Sequence, residues 1–276
     1  MAFDVPVLPP AETAPAQRAF GCGRLAVRAE DGRTRLRGLY QEGSAKLRLP
    51  RARGASLEAV MINSAGGMTG GDRFAWTVEV GAGAHAVLTT QACERVYRAS
   101  GDTARVEARL TLEAGARLDW LPQETILFDG SALSRTITAD LAEDAALLLC
   151  EAVILGRHAM GETFARGAFH DRWRIRREGR LVLADDLRLD GDIPHLTHQS
   201  ALLGGAGAFA TLLLVSPDAD ACLDAARTAI GPLGGASAFD GKLVARLAAR
   251  DGLTLRRALI PALIALGASP PAVWTL

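Results

Sequence analysis

The sequence predicts a mostly β protein: a β-helix-like or multi-stranded, double-layered β body with about two C-terminal helices packed on it. Three observations carry this. Strand-type alternation fills the first three quarters of the chain. A weak repeat runs through its middle. The texture turns helical after Ser216.

Residues 1–18 come first. "MAFDVPVLPPAETAPAQ" holds an acid, several prolines and no basic leader, so a loose N-terminal arm is expected rather than a signal peptide. "GRLAVRAEDGRTRLRGLYQEG" (Gly23–Gly43) reads as a hairpin. Leu25 and Val27 alternate with charged residues, and Asp31-Gly32 supplies the tight turn.

The middle repeats itself in "VEVGAGAHAVLTTQ" (Val78–Gln91), "LTLEAGARLDWLPQ" (Leu110–Gln123) and "ADLAEDAALLLCEA" (Ala139–Ala152). Each copy is a strand, a small-residue or acidic turn at Gly83, Gly115 or Asp144, and a second strand. Self-similarity at a fixed period predicts stacked units whose apolar faces are covered by their neighbours. Such strands suit a solenoid or an elongated two-layered body; regular short strands also leave an ordinary sandwich open.

A second hairpin follows in "HDRWRIRREGRLVLADDLRL" (His170–Leu189). Trp173 and Ile175 face one way, Arg172, Arg174 and Arg176 the other, and Glu178-Gly179 turns the chain. Asp185, Asp186 and Asp190 on the return arm predict cross-strand ion pairs. "GDIPHLTHQS" reads as a loop or strand start after Pro194, with His195 and His198 three apart.

Two charge-free stretches, Gln199–Pro217 and Ala258–Leu276, approach the length of a membrane span. Glycines 204, 205 and 207 break the first, and prolines 261, 270 and 271 the second. Buried strands around a glycine turn and a packed terminal helix are expected instead. Residues 217–266 read as mainly helical: "SPDADACLDAARTAI" opens on Ser and Asp caps, "GKLVARLAARD" spaces its leucines four apart, and "LRRALIPALIAL" is apolar throughout. No linker intervenes, so residues 1–276 are expected to form one domain.

Bulk numbers narrow the function. Formal charges cancel to +0, which disfavours a nucleic-acid partner held by phosphate neutralisation. The cysteines, Cys22, Cys93, Cys150 and Cys222, form no C-x-x-C pair, which fits reduced thiols and a cytoplasmic location. The glycine-rich "NSAGGMTGGDRF" (Asn63–Phe74) lacks the lysine of a phosphate-binding loop, and Asp72 would repel phosphate. It reads as a turn between strands, capped by Thr69 and Asp72. "LTTQACERVYR" (Leu88–Arg98) crowds Thr89, Thr90, Gln91, Glu94, Tyr97 and Arg98 among apolar residues. Buried polar groups must be paired, so this cluster either satisfies itself or serves a site.

Four blocks in succession, "NSAGGMTGGD", "TTQACERVYR", "LDWLPQETILFDGS" and "EAVILGRHAMGE", resemble in order and spacing the signature blocks of urease accessory proteins of the UreD (UreH) family. The resemblance covers nearly the whole chain. It implies a β-helix-like body with a pair of helices and a maturation factor rather than an enzyme. It further implies partners: apo-urease, a helical accessory protein of the UreF type and a GTPase of the UreG type. Nickel(II) would be in transit, with no cofactor permanently bound.

Nickel accepts carboxylate and imidazole ligands, and a transfer route favours ligands that exchange. The resemblance therefore nominates Asp72, Glu94, Glu124 and Glu151 as an internal passage, with Thr69, Thr89, Thr90, Gln91, Tyr97 and Arg98 as polar support. The bland alternative pairs the acids of these blocks with Arg95, Arg98 and Arg157. Two other functions stay open on the residues: a carbohydrate-active β-solenoid enzyme using paired carboxylates, and a scaffold that never touches nickel. Aromatics at 5% argue against a sugar groove.

Overall fold

The computed structural model describes residues 17–51, 54–157 and 160–274. Residues 1–16 of the expected arm and His158 lie outside the described residues. The chain opens with the hairpin β1 (Phe20–Glu30) and β2 (Arg33–Gly43), turned at Asp31-Gly32. Short β3 (Ala45–Arg48) and β4 (Leu57–Asn63) follow.

The repeat then forms stacked coils. The first is β5 (Arg73–Val80), β6 (His85–Thr90) and β7 (Glu94–Val96); the second is β8 (Ala104–Leu112), β9 (Arg117–Leu121) and β10 (Thr125–Leu127). The third runs through β11 (Ala132–Leu141) and β12 (Ala146–Leu155). Then come the hairpin β13 (Arg166–Arg177) and β14 (Arg180–Asp192), helix α1 (Ile193–His198) and β15 (Ala208–Val215). Helix α2 (Leu223–Ile230), strands β16 (Gly234–Phe239) and β17 (Lys242–Ala249), and helix α3 (Gly252–Ala265) complete the fold.

Each coil sends its first strand to one of two sheets and the rest to the other. The seven-stranded sheet has the order β14-β13-β11-β8-β5-β1-β2. The ten-stranded sheet runs β16-β17-β15-β12-β9-β6-β4-β3, with β7 and β10 branching beside β12. The repeat strands pair in parallel, β5 with β8 and β8 with β11 in one sheet, β6 with β9 and β9 with β12 in the other. A corner ladder stacks Met68, Val96, Leu127 and Leu155. The turns stack as well: Gly83 N donates to Ala114 O, and Gly115 N to the Asp144 carboxylate at 2.8 Å. Glycine suits the first two turns because φ is +65° at Gly83 and +64° at Gly115.

One core lies between the sheets, built on Leu25, Val78, Leu110, Ile137, Trp173 and their neighbours. A second lies between the outer face of the ten-stranded sheet and helices α2 and α3. β15 is buried along its whole length because it is covered on both faces. Fully burying one such aliphatic side chain contributes about 1.5–3 kcal/mol, so the double coverage is what holds the helices down.

Three expectations need correction. "GKLVARLAARD" is strand β17, not a helix. Leucines four apart satisfy a period of 2 as well as 3.6, and pairing with β15 and β16 decides for the strand. "IPHLTH" is helix α1, started by the Asp192 carboxylate accepting His195 N at 3.2 Å and by a proline in its first turn. Between Gln199 and Pro217 there is one strand, β15, and the preceding glycines form turns. The two hairpins hold as expected. Trp173 and Ile175 are buried, and Arg174 pairs with Asp186.

Candidate functional site

A cavity of about 210 Å³ opens between the two sheets at the corner-ladder end. Phe74, Trp76, Met61 and Ile137 supply apolar wall, and Glu94, Glu151, Arg135, Asn63 and Gln123 supply polar groups.

Its inner end is set by register. Phe74 on β5, Val106 on β8 and Arg135 on β11 occupy one inward row, and Asp171 on β13 continues it. The third coil thus places a guanidinium where the first two place hydrocarbon. Arg135 reaches across to Glu151 on β12 and sideways to Asp171, with Nη2–Oδ2 at 2.5 Å. Trp120 Nε1 donates to Glu151 Oε1 at 2.9 Å, and Trp173 Nε1 to Asp171 Oδ1 at 3.0 Å. One buried cation therefore faces two buried carboxylates. Burial pushes the Glu151 carboxyl up to about 7; Arg135 opposes the shift and Asp171 reinforces it.

Glu94 stands nearer the mouth. Asn63 Nδ2 donates to its Oε1 at 3.1 Å, and burial lifts its carboxyl to about 7 as well. The glycine-rich loop roofs this end: Gly67 lies so close to the Tyr97 ring and the Arg95 carbonyl that a Cβ would collide with both. Thr90, Gln91 and Cys93 also line the cavity. Gln123 Nε2 fixes the loop by donating to Gln91 O at 3.0 Å and to Thr90 O at 3.2 Å.

The other nominated acids are engaged elsewhere. Both oxygens of Asp72 accept backbone amides, from Ala19 and Thr69, each at 2.7 Å. Glu124 is buried against Arg256 of α3, with Nη2–Oε2 at 2.5 Å, and Cys93 Sγ–H donates to it at 3.4 Å. Despite burial, the Arg256 guanidinium holds the Glu124 carboxyl below its ordinary value. Burial and the adjacent Glu124 push the Cys93 thiol up to about 11. Thus Glu94 and Glu151 share one cavity, whereas Asp72 and Glu124 organise its surroundings.

The supporting residues divide similarly. Thr90 and Gln91 reach the cavity wall. Thr89 Oγ1 accepts Trp274 Nε1 at 3.0 Å. Thr69 Oγ1 donates to Arg98 O at 3.0 Å, Tyr97 Oη to Gly66 O at 3.2 Å, and Arg98 pairs with Asp129 at 2.8 Å. Arg98 and Arg157 pair with Asp129 and Glu162, but the cations that neutralise Glu151 and Glu124 are Arg135 and Arg256. Both escaped the sequence reading. A signal existed for Arg135: it holds an inward phase of "ALSRTITADL", between Leu133 and Ile137. An arginine on the apolar phase of a strand needs a buried anion.

Among the described residues, no group of three or more His, Cys, Asp or Glu is arranged to hold a metal ion. Among them, too, no helix is long and apolar enough to cross a membrane.

The family model described as "UreD urease accessory protein" matches residues 20–275. Curated proteins named urease accessory protein UreD are similar over nearly the full length. The one from Rhizobium leguminosarum bv. viciae is 57% identical over 263 residues, covering 94% of this chain and 96% of its own. That from Sinorhizobium medicae is 55% identical, covering 94% and 97%. That from Agrobacterium fabrum is 51% identical, covering 94% and 92%.

Proposed function

This chain belongs to the UreD family of urease accessory proteins, and from that membership we propose that it acts in the cytoplasm as a non-catalytic urease maturation factor. It holds apo-urease together with accessory proteins of the UreF and UreG types, and it offers nickel(II) a protected route toward the urease active site. Membership removes the ground for a carbohydrate-active enzyme.

The observation that carries the nickel reading is the pair of carboxyls, Glu94 and Glu151, on one inter-sheet cavity, both lifted to about 7. A carboxyl in that range carries a proton about half the time at neutral pH and gives it up to an arriving divalent cation. Two carboxylates helped by Thr90 and Gln91 oxygens bind weakly and release readily, as a transfer route requires. Asp72 and Glu124 support the walls in this reading, and Arg135 keeps the inner end electrically balanced.

The test uses Glu94→Gln and Glu151→Gln in cells that make urease and its accessory proteins. The expected result is an intact accessory complex with urease that carries less nickel and less activity. Full nickel loading in both variants and in their double would leave a scaffold that never touches the metal. Normal urease maturation in a deletion strain would remove the maturation reading altogether.

A further inference from the structure

The outer face of the seven-stranded sheet carries a second built feature, on the opposite side of the strands β5 and β8 that wall the cavity. A cleft of about 380 Å³ is lined by Arg18, Phe20, Gly71, Arg73, Asp102 and Arg105, among others. Arg73 and Arg105 are direct cross-strand partners on β5 and β8. Like charges in that relation repel. Neither they nor Arg18 has an ion pair or side-chain hydrogen bond with another described residue, and Asp102 pairs with none of them. Three guanidiniums against one carboxylate leave an excess of two positive charges in one concavity.

The backbone beneath holds this arrangement in place. The Asp72 carboxylate fixes Ala19 N, and so the approach of Arg18 to β1. Arg73 N donates to Ala19 O at 3.0 Å, and Arg105 N to Asp72 O at 2.8 Å. The two glycines before Asp72 make room. A Cβ at Gly70 would strike the Asp102 carbonyl at 2.0 Å, and one at Gly71, where φ is +92°, would meet the Arg18 side chain at 2.9 Å. "GGD" is therefore the foundation of a rigid cationic cleft on the outer face.

We propose that this cleft is a docking site for an acidic segment of a partner protein, one presenting two or more carboxylates. Guanidinium forks match carboxylates in planar, two-pronged geometry. The excess charge equals that of two such groups. The volume, about a dozen liquid-water volumes at about 30 Å³ each, exceeds what one small oxyanion fills. Half-exposed Phe20 on the rim adds the aromatic partner that arginine-rich interface anchors favour. This assignment does not depend on nickel transfer.

The experiment titrates the full-length chain at low ionic strength with N-acetyl tri-glutamate amide, with the tri-glutamine peptide and inorganic phosphate as the other arms. Tri-glutamate binds and tri-glutamine does not. Arg73→Ser with Arg105→Ser weakens binding by tenfold or more, on the order of one lost charged hydrogen bond per arginine. Arg172→Ser with Arg176→Ser, on the same sheet face but outside the cleft, leaves it unchanged. Asp102→Asn strengthens binding about threefold by removing a competing anion, an effect that a folding defect would not produce. Equal binding of both peptides, or an unmoved affinity in the Arg73/Arg105 double variant, overturns the proposal. Phosphate binding tighter than tri-glutamate would make the cleft a small-anion site and overturn it equally.

Discussion

Replacing Glu151 with glutamine should stabilise this protein above neutral pH. Glu151 and Asp171 share one cation, Arg135, and all three side chains are almost wholly buried. Its carboxyl titrates near 7 in the fold, against 4.5 ordinarily. The folded value is the higher one, so the group's stabilising contribution is complete below pH 4.5 and is lost as the pH rises through 7. At about 1.4 kcal/mol per factor of ten, the loss amounts to about 3 kcal/mol by pH 8. Glutamine mimics the protonated acid but offers Trp120 Nε1 and Arg135 a poorer set of acceptors, at a cost of about 1 kcal/mol. Glu151→Gln should therefore be slightly less stable than the parent at pH 5 and about 2 kcal/mol more stable at pH 8. Urea unfolding followed by tryptophan fluorescence, from pH 5 to pH 9, measures the difference directly, with Trp120 reporting from beside the substituted group. A variant less stable than the parent at pH 8 would mean that Arg135 stabilises the ionised carboxylate by more than burial penalises it, and the argument would fail.

Three further outcomes follow from the same geometry. Arg135→Met strands two buried carboxylates and should cost about 3–5 kcal/mol in urea unfolding, with much of the loss recovered when Glu151→Gln and Asp171→Asn are added. Arg256→Ala removes the fork that joins α3 to Glu124, and with it a hydrogen bond to the carbonyl of Trp274; hydrogen exchange in α3 should accelerate well ahead of exchange in β6, β9 and β12. Nickel binding by the isolated chain, read by equilibrium dialysis, should fall about tenfold per participating carboxyl between pH 8 and pH 6, because protons reclaim groups that titrate near 7; Glu94→Gln should flatten that slope.

The chain announces its β architecture plainly because one-sided burial leaves a period-2 trace. Leu25 and Val27 in the first hairpin and Trp173 and Ile175 in the second are apolar on alternate positions, and each alternation ends at a turn that needs positive φ. The stacked turns at Gly83, Gly115 and Asp144 made the repeat visible. The alternation fails where both faces are covered. β17 and β15 lie between the inter-sheet core and the helices, so their sequences lose the contrast that separates strand from helix.

The site was legible only in part, for a related reason. Glu94 and Glu151 stood out as acids inside signature blocks. Nothing local distinguished Glu151, which faces an arginine across the core on β11 and feels an aspartate on β13, from Glu124, which is claimed by an arginine 132 residues away. Asp72 likewise reads as a candidate ligand until its oxygens are seen to be filled by amides.

By itself, then, the sequence determined the strand periods, the turn positions, the stacking repeat and the family, since all of these are written in short-range residue order. Tertiary structure alone decided which acids share a cavity, which cation each one meets and how far its proton affinity moves. Those depend on electrostatic distances and on exclusion of water, and both come into existence only when strands far apart in the chain are brought into register.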